Sequence, residues 1–256
     1  MMSAQYARTR GISLPPNTGR SYRTDANLWG RSLERGGLED AWQEPPEDMF
    51  ALTRSVAECP NEPAYVHIAF DGGVPTAING VTMPLEELVA SLRTIAAAHG
   101  VGRIDMVENR LVGIKSRKIY EAPAAVVLYA AHKELQALVT TRDTDRFSRI
   151  VSTTYADLVY SGLWFTPLRK ALDAYVETLQ ERVTGVVRIK LWKGACRIVG
   201  RKSPFALYDH ASTDDTNDVA GDGAAAGFIR IHGWPVETLA RKRPPVHEPL
   251  AMSRGR

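Results

Sequence analysis

The chain has 256 residues, of which 44% are hydrophobic and 24% charged, with 32 Lys and Arg against 29 Asp and Glu. These values are typical of a globular protein and exclude a disordered, collagen-like or coiled-coil chain. The net charge of +3 is too small to indicate a nucleic-acid-binding protein by itself, and no apolar run approaches the ~18 residues of a membrane span.

The first 63 residues are rich in proline and are predicted to form an irregular arm. Residues that precede proline are pushed out of the helical region, so such a segment suits an arm that wraps a surface better than a core. Residues 1–20 contain no apolar stretch of the kind found in a signal peptide. Two cysteines, Cys59 and Cys196, lie far apart and outside any zinc-binding spacing. We therefore expect a cytoplasmic protein without a metal site.

The first predicted strands form a hairpin. Residues 64–70 are rich in β-branched and aromatic side chains, and residues 74–78 follow after Asp71-Gly72-Gly73. A glycine-containing loop between two such runs is typical of a β-hairpin.

A helix is predicted over residues 84–99. Thr82 can cap it and Pro84 suits its first turn, while Gly100 can end it. Its apolar residues recur with helical spacing: Leu85, Leu88, Val89, Leu92 and Ile95. A strand is then predicted over residues 103–112.

The second half of the chain is predicted to hold a helical cluster followed by a second hairpin. The predicted helices cover about residues 123–138, 147–162 and 167–183. The predicted hairpin strands, 186–192 and 196–200, flank Lys193-Gly194. After a loop over residues 214–226, we expect a short strand at 228–232 and a short helix at 235–241.

This order of elements predicts an α+β fold. Strands come in hairpins at both ends of the helical cluster, which favours an antiparallel sheet over a doubly wound parallel one. We expect an irregular N-terminal arm (1–63), one domain (64–240) and a basic disordered tail (241–256).

The stretch from Gly102 to Pro123 has an unusual mixture of side chains. Asp105, Glu108 and Arg110 stand among apolar neighbours, where a solvated strand would alternate more simply. Groups of both charge signs suit a pocket for a zwitterion, but they equally suit a structural ion-pair network, and the pattern alone favours neither. The chain has no P-loop and no arrangement typical of a catalytic nucleophile, so we assign no catalytic residue.

Several separate motifs resemble those of argininosuccinate synthases. They occur in the same order and spacing, and the resemblance extends over about residues 6–235. The motifs lie at residues 27–32, 100–124, 155–164, 180–185 and 200–208.

The resemblance implies an activity in arginine biosynthesis and the urea cycle. The family joins citrulline and aspartate and converts ATP to AMP and pyrophosphate. Its members carry a nucleotide-binding domain, with a Ser-Gly-Gly-Leu-Asp-Thr-Ser loop, before an α+β synthetase domain that builds a homotetramer. Since that loop is missing here, we expect a truncated protein with the synthetase domain alone. The ATP and Mg²⁺ that the family implies would then belong to a partner chain.

The resemblance also assigns citrulline-binding residues. Glu108 matches a carboxylate for the α-ammonium, and Tyr120 and Ser32 match residues whose hydroxyl groups contact citrulline. One position departs from the family pattern, because Arg23 stands where the family has a serine. Thr24 can supply a hydroxyl only from the opposite side of an extended chain.

Four interpretations stay open at this point. The chain is half of a split synthase, a non-catalytic oligomerisation or regulatory module, an amino-acid-binding protein, or the product of a decayed gene. All four are compatible with a homo-oligomer that binds neither nucleic acid nor membranes.

Overall fold

The computed structural model describes Tyr6 and residues 9–11, 23–34, 38–208 and 223–242. The chain divides into two compact units, one ending at Leu207 and the other beginning at Tyr208. The predicted domain 64–240 crosses this division. Most of the predicted basic tail lies outside the described residues.

The described strands are β1 (Arg23–Asn27), β2 (Gly30–Glu34), β3 (Ala64–Asp71), β4 (Val74–Ile78), β5 (Val81–Thr82), β6 (Arg103–Asn109), β7 (Lys115–Glu121), β8 (Gly185–Trp192) and β9 (Ala195–Lys202). The described α-helices are α1 (Leu85–Ala98), α2 (Pro123–Val139), α3 (Arg142–Tyr160), α4 (Pro167–Gln180) and α5 (Ala224–Arg241). Short 3₁₀ turns occur at Glu47–Met49 and Val56–Glu58. The predicted α+β class is confirmed.

The described strands form two antiparallel sheets. Sheet A has the order β1-β2-β7-β6, and sheet B has the order β5-β4-β3-β8-β9. Both predicted hairpins, β3–β4 and β8–β9, belong to sheet B. Lys193 and Gly194 both have positive φ in the β8–β9 turn, which matches the right-handed twist of the strands they join.

Sheet B carries the main core. Alternate side chains of its central strands point inward, and α1 and α2 cover them. The buried residues of these two strands are Val66, Ile68, Phe70, Val187, Ile189 and Leu191. Leu88, Val89 and Leu92 of the predicted α1 stripe pack against them, and Ile95 is partly buried there, whereas Leu85 is exposed. However, α1 has no side-chain cap, because Thr82 is held in β5.

The predicted irregular arm contains a hairpin at its centre. Strands β1 and β2 pair with each other, and β2 continues the ladder onto β7. Residues 23–34 carry little strand signal of their own, yet they form this hairpin within the predicted irregular arm. Its strand conformation comes from pairing with a distant strand, a context that sequence propensity does not contain.

The predicted strand at 228–232 is also wrong. The structure has the continuous helix α5 there, and it includes the predicted short helix at 235–241. Phe228, Ile231 and Trp234 recur every three residues, which is a helical spacing. A short apolar run is compatible with both a strand and a helix. The spacing of apolar residues distinguishes the two only over a longer window.

Candidate functional site

The three predicted site residues project from one face of sheet A. Ser32 in β2 is paired with Tyr120 in β7, and Tyr120 is paired with Ile104 in β6. Glu108 lies four positions after Ile104 in the same strand. Side chains at even spacings along a strand point to the same side. Ser32, Tyr120 and Glu108 therefore share one side of the sheet, which we call the site face, and the opposite side is the rear face.

Glu108 is engaged through both carboxylate oxygens. The Tyr120 hydroxyl donates a hydrogen bond to Oε2 at 2.8 Å, and Lys118 Nζ lies 2.8 Å from Oε1. The Lys118 contact has the length of a close ion pair but not the alignment of a hydrogen bond. The Glu108 and Lys118 side chains are 13% and 23% exposed, so water screens this pair only weakly.

The surroundings fix the charge of each of these groups. Burial alone would raise the pKa of Glu108, but Lys118, Tyr120 and Arg110 together lower it below its usual 4.5. The Glu108 carboxylate raises the pKa of Lys118 against the opposing effect of burial. Burial and the same carboxylate raise the pKa of Tyr120. At neutral pH the site face thus holds an anion, a cation and a neutral phenol donor.

Ser32 and Tyr120 also line a cavity beside the β1–β2 turn. The cavity measures about 280 Å³, and its wall includes Asp25, Asn27 and Trp29. This is close to the lower end of the range for small-molecule sites, about 300 Å³. Glu108 is not part of the wall, so Tyr120 is the residue that connects the cavity to the half-buried Glu108 carboxylate.

Arg23 adds a second cation to the site face. It is paired with Glu34 across the β1–β2 hairpin. Its guanidinium lies 3.3 Å from the Glu34 carboxylate and 3.8 Å from that of Asp25. Thr24 is paired with Leu33, which is buried behind the sheet. Its hydroxyl therefore faces away from the site, as predicted.

A buried carboxylate on the rear face holds the strand that carries Tyr120. Glu121 is 0% exposed and accepts hydrogen bonds from the backbone N–H groups of Ala51, Leu52 and Thr53 at 2.8–3.0 Å. The Thr53 hydroxyl donates a fourth at 2.8 Å, and Arg31 Nε lies 3.4 Å away. These contacts fasten an irregular segment against β7.

Arg103 fastens the same segment to β6. Its guanidinium donates two hydrogen bonds to the Glu47 carboxylate, at 2.7 and 2.9 Å. It donates a third to the Thr53 hydroxyl at 2.8 Å. The guanidinium also stacks 3.8 Å from the centre of the Phe50 ring. Side chains therefore order residues 47–53, which lie between β2 and β3 in the sequence and have little regular secondary structure.

The polar stretch of the sequence forms ion pairs on both sides of sheet A. Arg117 and Asp105 make a two-pronged contact on the rear face, at 2.6 and 2.9 Å. Lys118 and Glu108 are paired on the site face. The ion-pair interpretation of this stretch is therefore confirmed, and its use as a ligand pocket stays a prediction.

Sequence reasoning missed Lys118 and Glu121. A signal for Lys118 was available, because it stands two positions before Tyr120 and must share its face within a strand. For Glu121 there was no such signal. Its partners lie about 70 positions earlier, in a segment without periodicity.

Within the described residues we find no support for a metal or a nucleotide site. No group of three or more His, Cys, Asp or Glu there could hold a metal ion, and the sequence has no P-loop pattern. No described helix has the length and apolar character needed to cross a bilayer.

A larger cavity of about 480 Å³ lies over sheet B. Its wall includes His67, Arg188 and Lys202. None of the predicted site residues lies there. We place the candidate site on sheet A, where those residues and the coupled charges converge.

Comparison with known proteins identifies relatives of the chain. Residues 22–239 match the family model for the arginosuccinate synthase C-terminal domain. Argininosuccinate synthase of Rubrobacter xylanophilus is 50% identical over 252 residues, which cover 98% of this chain and 62% of the relative. The enzymes of a Synechococcus species and of Bacillus thuringiensis are 50% and 46% identical over 237 residues, which cover 92% of this chain and 59% of each relative.

The chain thus spans about 60% of the length of the curated relatives it matches. The matched part includes every described strand and helix except the last residues of α5. On this agreement over most of its length, the chain belongs to the argininosuccinate synthase family, and residues 22–239 correspond to the family's C-terminal domain.

Proposed function

We propose that this chain binds citrulline on the site face of sheet A and supplies the synthetase half of an argininosuccinate synthase. The complete reaction converts citrulline, aspartate and ATP to argininosuccinate, AMP and pyrophosphate. A partner chain with the nucleotide-binding domain completes the enzyme, in a homo-oligomer of such pairs in the cytoplasm.

The observation that carries this proposal is the hydrogen bond between Tyr120 and Glu108, with Ser32 directly opposite Tyr120. Three residues from separate parts of the sequence converge on one face, beside a cavity of suitable size. A coincidental resemblance would not require this convergence.

Each of the three groups has a chemical role in this proposal. The Glu108 carboxylate is ionised at neutral pH and attracts the α-ammonium of an amino acid. The neutral phenol of Tyr120 and the hydroxyl of Ser32 can donate to or accept from polar groups of the bound molecule. These residues bind and orient citrulline. In this proposal the ATP-dependent step belongs to the family's nucleotide-binding domain, which the partner chain supplies.

The test is reconstitution. The part of the Rubrobacter relative that this chain does not match is produced as a separate chain and mixed with this one. A fusion of the two removes the need for assembly. We expect AMP formation that requires both citrulline and aspartate. AMP at background in both formats, while the intact relative is active, would contradict the proposal.

A variant of Glu108 shows whether the activity uses this site. Glu108→Gln keeps the size of the side chain but removes the charge that attracts an ammonium. We expect the citrulline KM to rise about tenfold or more, since one charged hydrogen bond contributes ~1.5–3 kcal/mol. Glu44→Gln, at an exposed position without a described ion pair, should leave the KM unchanged.

A second candidate function rests on α5. Among its exposed apolar side chains are Phe228, Ile229, Ile231, Trp234, Val236 and Leu239. A helix with this many exposed apolar side chains favours a non-catalytic module that assembles with other copies or with an intact synthase. Size measurement and pull-down with the Rubrobacter enzyme test this candidate. A monomer that does not bind the intact enzyme would argue against it.

A further inference from the structure

We propose that Lys118 occupies the position of the substrate's α-ammonium, so that it competes for Glu108 and weakens the binding of citrulline. This inference rests on the proposed function, because it takes Glu108 as the carboxylate that receives the α-ammonium.

Both oxygens of the Glu108 carboxylate already have a polar neighbour, and Oε1 is buried. One carboxylate oxygen accepts from the Tyr120 hydroxyl, and the other lies 2.8 Å from Lys118 Nζ. The lysine head and an amino-acid α-ammonium are both primary ammonium groups with the same charge. A substrate ammonium beside Lys118 would be repelled by it in this weakly hydrated site. Citrulline can therefore reach Glu108 only by displacing Lys118.

The other carboxylates described on the site face have a cation nearby as well. Asp25 and Glu34 already lie beside Arg23. Glu34 also favours the charged form of Lys118 from the neighbouring strand. Arg110, the residue after the end of β6, helps to lower the pKa of Glu108. Each of these carboxylates has a cation nearby, and Glu108 is the one in direct ion-pair contact with a side chain of β7.

A purely structural ion pair would behave differently from a competing one. In both cases the loss of Lys118 leaves a half-buried carboxylate without its cation, which costs stability. Only in the competing case does an added amino acid replace the missing ammonium. The variant should then bind citrulline more tightly and gain more thermal stability from it than the native chain does.

Calorimetric titration of citrulline into four proteins tests this inference. They are the native chain, Lys118→Ala, Lys118→Met and Lys115→Ala. Lys118→Met keeps the aliphatic stem but removes the charge. Lys115 is a matched control in the same strand, because it is exposed, has the rear-face parity and makes no described ion pair.

We expect both Lys118 variants to bind citrulline about tenfold more tightly than the native chain, and Lys115→Ala to equal it. Adding Glu108→Gln to Lys118→Ala should abolish the gain. The inference is overturned if Lys118→Ala and the native chain bind citrulline with the same affinity, or if neither gives a heat of binding. It is also overturned if only the alanine variant gains, because space rather than charge would then set the affinity.

Circular dichroism confirms that each variant is folded, and Lys118→Met provides the answer if the alanine variant is not. The outcome is separate from that of reconstitution. A gain in citrulline affinity without AMP formation removes the proposed enzyme but keeps the competition at Glu108. AMP formation without a gain in citrulline affinity removes the competition at Glu108 but keeps the proposed enzyme.

Discussion

At the scale of single residues, Glu121 is the side chain on which the geometry of the site most depends. It follows Tyr120 in β7 but points the other way, into a fully buried position. Its carboxylate satisfies three backbone N–H groups of a segment that has no sheet or helix to bond with. The side chain therefore replaces secondary structure for that segment.

Replacing Glu121 with alanine should destabilise the chain by about 3–5 kcal/mol, because it leaves buried donors and Arg31 without their partner. Urea unfolding at pH 7 measures this change. Glu44→Ala, at an exposed site, serves as the control and should change the free energy of unfolding by less than about 0.5 kcal/mol. Similar effects of the two substitutions would mean that Glu121 does not hold the segment.

At the scale of elements, the site depends on how closely β2 approaches the end of β7. A Cβ at Gly30 would lie 2.0 Å from the carbonyl oxygen of Glu121. Because the backbone fixes the position of a Cβ and the oxygen belongs to the backbone of Glu121, no side-chain rotation can relieve this contact. Only glycine lets β2 lie near enough for Ser32 to stand opposite Tyr120.

Gly30→Ala should therefore cost about 2 kcal/mol or more of stability and also weaken citrulline binding. Thermal unfolding and titration measure the two effects. Gly227→Ala is the matched control, because a Cβ there meets nothing within 4 Å and alanine is favoured inside a helix. An unchanged melting temperature for Gly30→Ala would show that β2 and β7 can move apart without a loss of stability.

Sheet A should also be the acid-sensitive part of the chain. The pKa of Glu47 is lowered by its hydrogen bonds with Arg103, and that of Asp105 by its bonds with Arg117. The pKa of Glu108 is also lowered, despite its burial, by Lys118 and Tyr120. All three pairs lie in or against this sheet.

The sign of the pH effect follows from these shifts. Below about pH 4.5 the unfolded carboxyl groups take up protons before the folded ones do, so the free energy of unfolding falls as the pH falls. Urea unfolding from pH 7 to pH 3 measures this loss. Asp105→Asn should make the loss smaller. The same curve for this variant and the native chain would contradict this assignment.

At the scale of the whole molecule, the predictable elements were the local ones. The stripe on α1 and the turns of both sheet B hairpins follow from residues that lie close together in sequence. The hairpin β1–β2 could not be predicted because its strand partner, β7, lies about 90 positions later. Glu108, Tyr120 and Ser32 came from the family resemblance. The Lys118 ion pair depends on a β6–β7 register that composition does not reveal.

The two sheets alternate along the chain, and this has a consequence for its synthesis. All described strands of sheet A have left the ribosome once Glu121 has emerged. In sheet B, β3 can pair with β8 only after β8 has been made, and β8 ends at Trp192. That is 71 residues later (192 − 121). During this interval α1 and α2 can cover the apolar side of β3. The site face can therefore assemble on a nascent chain whose main core still lacks a central strand.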